Sequence, residues 1–489
     1  MLSALRSSAK RFLIDRQHRR NEIRRIALDQ QQGIRPETWG ASVSPSGRLV
    51  IGECDAVDLA NQFGTPLLVV DRRRLEADYR RFHESFSSLH PNVEIAYSYK
   101  TNPLPGVIAV LHELGALAEV ISHFELWLAI RLGVSPSRVL FNGPGKTRSA
   151  IEFAVGHGVR LINIDSLGEI EVVAAAARSA GRRQQVGVRV VTSVGWSSQF
   201  GLTIRSGDAF EAFRRLKREQ GLVPIGLHAH LGTGIRNVRG YLRAVQEIME
   251  FARSLRSVLG VEISYFDLGG GFGVPTVQPF DSWDYRLMRN GRPPAPIDVI
   301  ATPTPSDYAR GIVEIVRRFY PPTDANQPTL AFEPGRALTS SAQSLVLQVL
   351  SVKRGPKDSR TVILDGGKNL ALPTGYECHE LLPVTRAGQK RDRRYNFFGP
   401  LCHPGDDLFV EKAFPPVEPG DLVAIMDAGA YFVPNQTNFS HPRPPAVLVQ
   451  NGKATLLRAR ESFEDIVMRD RFQPHEDVVR TRQRQFSTI

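Results

Sequence analysis

Between about residues 65 and 335, short apolar runs alternate with longer amphipathic stretches, and this alternation limits the folds open to the chain. The strand-like runs read PLLVVD, VEIAYSYK, LAEVIS, RVLFNG, RLINIDS, VGVRVV, IGLHAHLG, ISYFDLGGG and TLAFEPG. The stretches between them, such as YLRAVQEIMEFARSLRSVLG, carry apolar residues three and four positions apart, as amphipathic helices do. Alternation of this kind predicts a parallel sheet covered by helices.

The number of these units favours a closed barrel. Roughly eight strand–helix units fill about 270 residues, and a (β/α)8 barrel typically needs about 250. We therefore predict an α/β fold built on a TIM-type (β/α)8 barrel over residues 65–336, with an open doubly wound sheet as the alternative. After residue 336, strand-like runs separated by turn residues replace the helical windows, which predicts a mostly-β domain, sandwich-like or barrel-like, over 337–470 and a tail over 471–489.

A proline-rich segment at 275–305 follows a glycine cluster at the end of a strand-like run. Loops at that end of a barrel strand commonly cover the active site, so this segment is either a lid or a tolerated surface insertion.

Cysteine content and charge bear on compartment and partners. The three cysteines among 489 residues cannot form a disulfide framework and leave at least one free thiol, which favours a cytoplasmic, reducing setting. No apolar run is long enough to span a membrane. Much of the net charge of +12 falls in residues 1–40, and no nucleic-acid-binding signature accompanies it. We predict a basic N-terminal extension over 1–64 that packs in part on the β domain, and neither a membrane nor a nucleic-acid partner.

Lys100 is the first candidate for chemistry, because it ends the run VEIAYSYK and precedes Thr-Asn-Pro, which breaks the strand. A lysine at that end of a barrel strand points into the site. When it is desolvated it loses basicity and can form a Schiff base with an aldehyde cofactor. A surface lysine is the alternative interpretation.

Two histidines and two glycine-rich turns also follow strand-like runs. His228 and His230 lie two apart, on one side of a strand, and could ligate a metal. No cysteine or acidic cluster near them in the sequence completes such a site, so ring stacking by one and core packing by the other are favoured. Thr233, between two glycines, offers a hydroxyl to a phosphate, and the cluster that contains Gly270 and Gly271 permits close backbone approach to an anion.

Glu333 follows the last strand-like run of the barrel and precedes Pro-Gly-Arg. A carboxylate facing a pyridine nitrogen would keep that nitrogen protonated, and the ring would then accept electrons from a carbanion. A structural salt bridge between Glu333 and Arg336 is the alternative.

Together these residues resemble the fold-type III pyridoxal-phosphate-dependent decarboxylases, which have an alanine-racemase-like barrel, and in particular the diaminopimelate and ornithine decarboxylase group. The resemblance runs in order from 64 to 449. Its motifs are AYSYKTNP, EVISHFEL, NGPGK, NIDSLGEIE, HAHLGTG, DLGGGFG, FEPGR, GPLCHPGD and DAGAY.

The resemblance implies a site for pyridoxal 5'-phosphate. Lys100 would hold the cofactor as a Schiff base, His230 would stack on its ring, Glu333 would bind the pyridine nitrogen, and Arg189 would approach the ring hydroxyl. The phosphate would be held by Thr233, Gly270, Gly271, the backbone around Gly335, and Tyr431.

The resemblance also implies a homodimer with shared active sites. Cys402 would enter the neighbouring subunit's site and protonate the carbanion after CO2 leaves, while Arg336, Tyr376 and His403 would face the substrate. The implied activity is amino-acid decarboxylation. A racemase on the same fold and a non-catalytic cofactor-binding homologue are the alternatives.

Two departures from the family pattern bear on the substrate. Leu372 stands where diaminopimelate enzymes have the arginine of RPxxY, although Tyr376 is kept, and His403 replaces the acid after the catalytic cysteine. With Lys368 nearby, the sequence suggests a substrate other than meso-diaminopimelate, one with a neutral or acidic side group such as a carboxylated conjugate of a small amino acid.

Overall fold

The computed structural model describes residues 2–31, 34–196, 199–299, 301–355 and 359–471, so all but the first residue of the predicted tail lies outside the described residues. Within these ranges, eight parallel strands form a closed barrel, in which the eighth strand returns to the first with Leu330 opposite Val93. The barrel strands are Val93–Ser98, Leu117–Val120, Val139–Phe141, Leu161–Ile164, Gln184–Val191, Leu222–His228, Tyr265–Asp267 and Thr329–Phe332. The predicted (β/α)8 barrel is confirmed.

Helices surround this barrel. They are Arg72–Ser87, Pro105–Glu113, His123–Arg131, Arg148–His157, Leu167–Ser179, Asp208–Leu216, Val238–Leu259 and Pro305–Phe319. The helix Arg72–Ser87 comes before the first barrel strand in the sequence. It packs between the helices Pro305–Phe319 and Pro105–Glu113. It therefore completes the outer ring.

An aromatic cluster fixes that helix to the barrel. Phe86 is fully buried, with its ring centroid 4.0 Å from that of Phe332 on the eighth strand and 5.3 Å from that of Phe82. The ring of Phe272, which follows the seventh strand, lies 6.4 Å from that of Phe86. These contacts join the two ends of the barrel sequence through one hydrophobic core.

The second domain is a mostly-β unit, as predicted, and its main sheet includes the strand Leu67–Asp71. In sheet order its strands are Asp407–Phe414, Arg393–Phe398, Arg360–Leu364, Gln343–Arg354, Leu67–Asp71, Ala446–Gln450 and Lys453–Arg458. The strand Leu422–Ile425 pairs with Gln343–Arg354 and with Leu381–Pro383. Short helices in this domain are Arg336–Thr339, Lys368–Ala371 and Phe463–Val467.

Placing Leu67–Asp71 in the barrel was wrong. The strand pairs antiparallel with Gln343–Arg354 and parallel with Ala446–Gln450. Its side chains alternate between two cores, because Leu68 and Val70 face the core shared with the barrel while Leu67 and Val69 face a second core. A strand buried on both faces reads as a continuous apolar run in either kind of sheet, so the run alone did not identify its partner.

The N-terminal residues contribute to that second core. A helix spans Leu2–Gln31, and the short strands Ser42–Val43, Leu49–Ile51 and Cys54–Asp55 form a small sheet before the helix Ala56–Phe63. Trp39 is buried, and its indole N–H donates to Asp427 Oδ2 at 2.7 Å. The residues after the first helix thus pack on the β domain. Among the described helices, none is both long and apolar enough to cross a membrane.

The proline-rich segment 275–305 packs against the second domain and against the N-terminal helix. Gln278–Pro279 pairs antiparallel with Glu377–Cys378 of the second domain, and the helix Ser282–Met288 contacts the N-terminal helix. Arg24 of that helix forms an ion pair with Asp298 at 2.8 Å. The segment therefore connects the strand Glu377–Cys378 with the N-terminal helix.

We predict that Phe86→Ala lowers the free energy of unfolding of the barrel by about 3–5 kcal/mol, because the substitution leaves a cavity in a closed aromatic cluster. Chemical denaturation followed by circular dichroism measures the loss. Phe463→Ala is the control, since that ring is 75% exposed and its removal should cost less than about 0.5 kcal/mol. Equal losses for the two variants would contradict this packing.

Candidate active site

A cavity of about 340 Å³ opens at the carboxyl ends of the barrel strands, where TIM-barrel enzymes place their chemistry. Seven of the residues singled out from the sequence line it. The lining consists of Lys100, Ile121, Gly143, Pro144, Arg189, Trp196, Phe200, His230, Thr233, Arg336, Tyr376, Glu377 and Tyr431. Residues 376, 377 and 431 come from the second domain, so both domains build the site.

A buried polar network connects Lys100 with Glu333. Lys100 Nζ lies 3.4 Å from Glu119 Oε2, and Asn142 Nδ2 donates to Glu119 Oε1 at 3.0 Å and to Glu333 Oε1 at 2.5 Å. Glu119 is in the second strand, Asn142 follows the third, and Glu333 follows the eighth. The closed sheet makes these strand ends neighbours, which is why residues far apart in the sequence meet here.

The charges of this network raise the basicity of Lys100. Burial lowers the pKa of its amine, but the carboxylates of Glu119 and Glu333 act in the opposite direction and hold the pKa above its ordinary value. The expectation that desolvation makes Lys100 less basic is therefore wrong for the chain itself. The two acids belong to other strands, so their effect on the pKa of Lys100 could not be predicted from the residues next to Lys100 in the sequence.

Glu333 shares its buried surroundings with His228 and Asp267. Burial raises the pKa of Glu333, but His228 and Lys100 outweigh it and lower the pKa below its ordinary value. Burial and the charge of Glu333 raise the pKa of Asp267. The surroundings thus move the pKa values of these two neighbouring carboxyl groups in opposite directions.

His228, Asp267 and Glu333 also offer atoms within 4.8 Å of one another, a spacing that a metal ion could use. The sequence showed no acidic cluster near His228, yet the fold brings two acids to it from other strands. The raised pKa of Asp267 favours its neutral form, which reduces the repulsion between the two carboxyl groups. His228 Nε2 lies 3.3 Å from Glu333 Oε1, so His228 flanks the ionised carboxylate.

His230 is held as a neutral ring at the cavity wall. Its Nδ1 accepts a hydrogen bond from the Gly270 N–H at 3.3 Å, and Trp196 contacts the ring edge-on at 6.1 Å. Burial, followed by the charge of Lys100, lowers the pKa of His230 to about 3. A neutral imidazole with a free face suits packing against a flat ring.

The glycines beside His230 bring backbone segments close together. A Cβ at Gly270 would lie 2.1 Å from the Glu333 carbonyl oxygen, and one at Gly271 would lie 2.0 Å from that of Gly232. A Cβ at Gly335 would meet Thr101 Oγ1 at 2.0 Å. Only glycine fits at these three positions. Four loops, those after the sixth, seventh, eighth and first barrel strands, therefore approach each other beside the cavity.

Tyr431 and Arg189 complete the walls. Tyr431 has a φ of +66°, and its N–H donates to the Thr101 carbonyl oxygen at 2.8 Å, which fixes the DAGAY turn beside Lys100. The Arg189 guanidinium lies 4.3 Å from the centroid of the Phe200 ring, and its Nη1 is 3.7 Å from Asp165 Oδ1. Both side chains are thus held in place at the cavity.

Cys402 and His403 are on an exposed turn between the strands Arg393–Phe398 and Asp407–Phe414, apart from the lining of this cavity. The buried Asp406 holds the turn, because its carboxylate accepts from the Leu401 N–H at 2.9 Å and from the Lys368 N–H at 2.7 Å. A thiol in this position is exposed and lies outside the cavity of its own chain.

Of the residues tied to the substrate by the sequence, Tyr376 lines the cavity and Leu372 is 42% exposed. Lys368 Nζ donates to Thr374 Oγ1 at 2.8 Å, and burial lowers the pKa of Lys368 to about 8. Its amine therefore faces the turn that leads to Tyr376.

Three residues of the site, Glu119, Asn142 and Glu377, were not predicted from the sequence. Glu119 carried a usable signal, since it is an acid within the apolar run LAEVIS. Asn142 and Glu377 gave none, because each lies in a turn or short strand where a polar residue is ordinary.

The site's contents fit pyridoxal phosphate. The cavity offers an amine, a neutral imidazole and a threonine beside glycine-rich loops, while an ionised carboxylate lies in the network behind the amine. These are the groups that bind an aldehyde, a flat ring, a phosphate and a pyridinium nitrogen, respectively.

Comparison with known proteins agrees with this chemistry. Residues 72–340 match the family described as pyridoxal-dependent decarboxylase, pyridoxal binding domain. A diaminopimelate decarboxylase of Methanothermobacter thermautotrophicus is 30% identical over 437 residues, covering 87% of this chain and 96% of that protein. One of Zymomonas mobilis is 31% identical over 440 residues, covering 87% and 97%. The crystal structure of diaminopimelate decarboxylase from M. jannaschii in complex with L-lysine has a TM-score of 0.79 at 27% identity, covering 89% of this chain and 98% of that chain.

A closed barrel with a β domain and this family match define a fold-type III enzyme that uses pyridoxal phosphate. The chain belongs to the diaminopimelate and ornithine decarboxylase family, and it is a pyridoxal-phosphate-dependent amino-acid carboxy-lyase. The resemblance drawn from the motifs is confirmed.

We predict that Glu119→Gln lowers the pKa of Lys100, because one of the two carboxylates that raise it is lost. In protein freed of cofactor, a lower pKa means more neutral amine, so acylation of Lys100 at about pH 9 should speed up about tenfold per unit of pKa. Peptide mass spectrometry measures the rate, with the exposed Lys453 as internal reference. An unchanged ratio of the two rates would contradict the electrostatic role of Glu119.

Proposed function

We propose that this chain removes the α-carboxylate from an amino acid whose side group is neutral or acidic, with Lys100 and Glu333 as the principal cofactor-binding residues. The observation that carries the proposal is the buried network in which one asparagine hydrogen bonds to both Glu119, beside Lys100, and Glu333. It sets an amine and an ionised carboxylate at fixed positions around one cavity.

Each residue has a role under this proposal. Lys100 Nζ would hold the cofactor through its aldehyde. His230 packs against the ring, while Thr233, the backbone at Gly270, Gly271 and Gly335, and Tyr431 hold the phosphate. Arg189 is close to the ring hydroxyl. When bound, pyridoxal phosphate withdraws the electron pair left on Cα as CO2 departs.

Glu333 favours decarboxylation over racemisation. The neighbouring charges keep Glu333 ionised, and an ionised carboxylate keeps a proton on the pyridine nitrogen. By holding that proton, Glu333 would make the bound ring a stronger electron acceptor, which suits decarboxylation. This supports the decarboxylase assignment from a residue of the chain itself.

Cys402 is proposed as the acid that returns a proton to Cα, acting in the partner subunit's site. Its support is the exposed position of the thiol on a turn anchored by Asp406. A homodimer with shared sites follows, and His403 would enter the partner's cavity with Cys402. The need for a free thiol is consistent with a reducing compartment such as the cytoplasm.

The substrate's side group is inferred from the two departures from the family pattern. Relatives are named diaminopimelate decarboxylases, and meso-diaminopimelate carries a distal ammonium and a distal carboxylate. At the corresponding positions this chain has the half-exposed Leu372 and His403, neither of which offers a carboxylate. A cationic distal group thus meets no acid from His403, and a neutral or acidic one, such as that of a conjugate, is favoured.

We predict that Lys100→Ala abolishes the visible absorbance band of lysine-bound pyridoxal phosphate and lowers CO2 release by at least about a thousandfold. The measurements are an absorbance spectrum of the reconstituted protein and CO2 release across diamino acids and their acidic conjugates. Lys453→Ala, at an exposed site in the second domain, is the control and should retain both. Release from meso-diaminopimelate or ornithine exceeding that from every acidic conjugate would refute the substrate inference.

Mixing two inactive variants tests the shared site. Lys100→Ala and Cys402→Ala should each be inactive alone, but a randomly reassorted mixture should regain about a quarter of wild-type activity, since half of the dimers are mixed and each mixed dimer has one intact site. Size-exclusion chromatography establishes the dimer. A mixture that stays inactive while the subunits exchange would contradict donation of Cys402 across the interface.

A further inference from the structure

The Arg336 side chain lines the cavity and is paired with the buried acid Glu377. It follows the eighth strand, is 5% exposed, and its guanidinium donates through Nη2 to Glu377 Oε1. Its Cζ lies 5.4 Å from the centroid of the Tyr431 ring, which holds the plane of the guanidinium at the wall. Glu377, 4% exposed, lines the same cavity.

Glu377 is held in place by His379 and by the pairing of its backbone with the proline-rich segment. His379 Nε2 lies 3.4 Å from Glu377 Oε2, and His379 Nδ1 donates to the Met426 carbonyl oxygen at 3.1 Å. The backbone of Glu377 pairs with Pro279 of the proline-rich segment. Burial raises the pKa of Glu377, but His379 and Arg336 outweigh it, so the pKa is lowered and the carboxylate is ionised.

The pair keeps unused hydrogen-bonding capacity. Arg336 Nε and Nη1 are buried and form no hydrogen bond with any described residue, and the buried Glu377 Oε2 has only the ionic contact with His379 Nε2 at 3.4 Å. Buried donors without partners cost free energy unless a ligand completes them, and a carboxylate oxygen with one ionic contact can still accept a hydrogen bond. Both side chains line the cavity, so a bound substrate is the group positioned to do so.

We infer that Glu377 is a specificity-determining residue: it occupies the Arg336 guanidinium, disfavours a substrate carboxylate there, and with Arg336 selects an uncharged amide. The amide carbonyl accepts from Arg336, and the amide N–H donates to Glu377. A carboxylate at this point would meet the charge of Glu377, and an ammonium that of Arg336. The inference rests on the proposed function and deepens it, because it names the amide linkage of a conjugate as the group recognised.

The test compares acid and amide partners of equal shape in the holoenzyme. CO2 release is measured for glutamate against glutamine and for 2-aminoadipate against its 6-amide, and the ratio of amide to acid kcat/KM is the readout. We expect a ratio above one for the wild type. In Glu377→Gln the ratio should fall by about tenfold or more, since Arg336 becomes free to bind a carboxylate.

Glu380→Gln is the matched control. Glu380 is likewise a buried acid, paired with Lys412 at 2.5 Å and Arg391 at 3.4 Å, but it does not line the active-site cavity. It lines, as Glu377 also does, a second cavity of about 480 Å³ between the β domain, the proline-rich segment and the N-terminal helix. Its removal should leave the ratio unchanged. A fall in this control equal to that in Glu377→Gln would overturn the inference.

Competitive inhibition of the wild type supplies a readout that does not depend on the variant folding. The structure predicts that glutaramide inhibits more tightly than glutarate, and the reverse order would overturn the role of Glu377. An unchanged ratio in an active Glu377→Gln enzyme would do the same. Absence of CO2 release from every substrate of the wider panel would instead count against the proposed function.

Discussion

The site depends on a buried balance of charge, in which the Lys100 amine lies beside Glu119 and is joined through Asn142 to Glu333. A lone buried charge costs several kcal/mol, so each member of this network requires the others. The closed sheet satisfies that requirement geometrically, since the eighth strand pairs with the first and the first with the second. Closure of the barrel therefore positions the chemistry as well as the core.

The second domain supplies the other wall of the cavity. Tyr431 is fixed by its backbone hydrogen bond to Thr101, and Glu377 by the strand pairing with the proline-rich segment. The N-terminal helix in turn holds that segment through Arg24 and Asp298. The N-terminal helix and the proline-rich segment lie outside the cavity, but their contacts support Glu377, which lines it.

Much of the fold and several residues of the site could be predicted from the sequence. The features that could not be predicted all depend on residues distant in the chain. Lys100, His230 and Glu333 follow apolar runs, so their position at the top of a barrel follows from the periodicity and the strand ends alone. The sheet membership of Leu67–Asp71, the raised pKa of Lys100 and the pairing of Glu377 with Arg336 each depend on a partner distant in the chain. Local patterns carry no information on which distant charges or strands will be neighbours.

We propose above all that Lys100 is the residue that binds pyridoxal phosphate. Borohydride reduction of the reconstituted protein, followed by proteolysis and mass spectrometry, tests this directly, because reduction makes the bond between lysine and cofactor permanent. We predict a phosphopyridoxyl group on the peptide that contains Lys100. A group found on another lysine, with Lys100 unmodified, would contradict it.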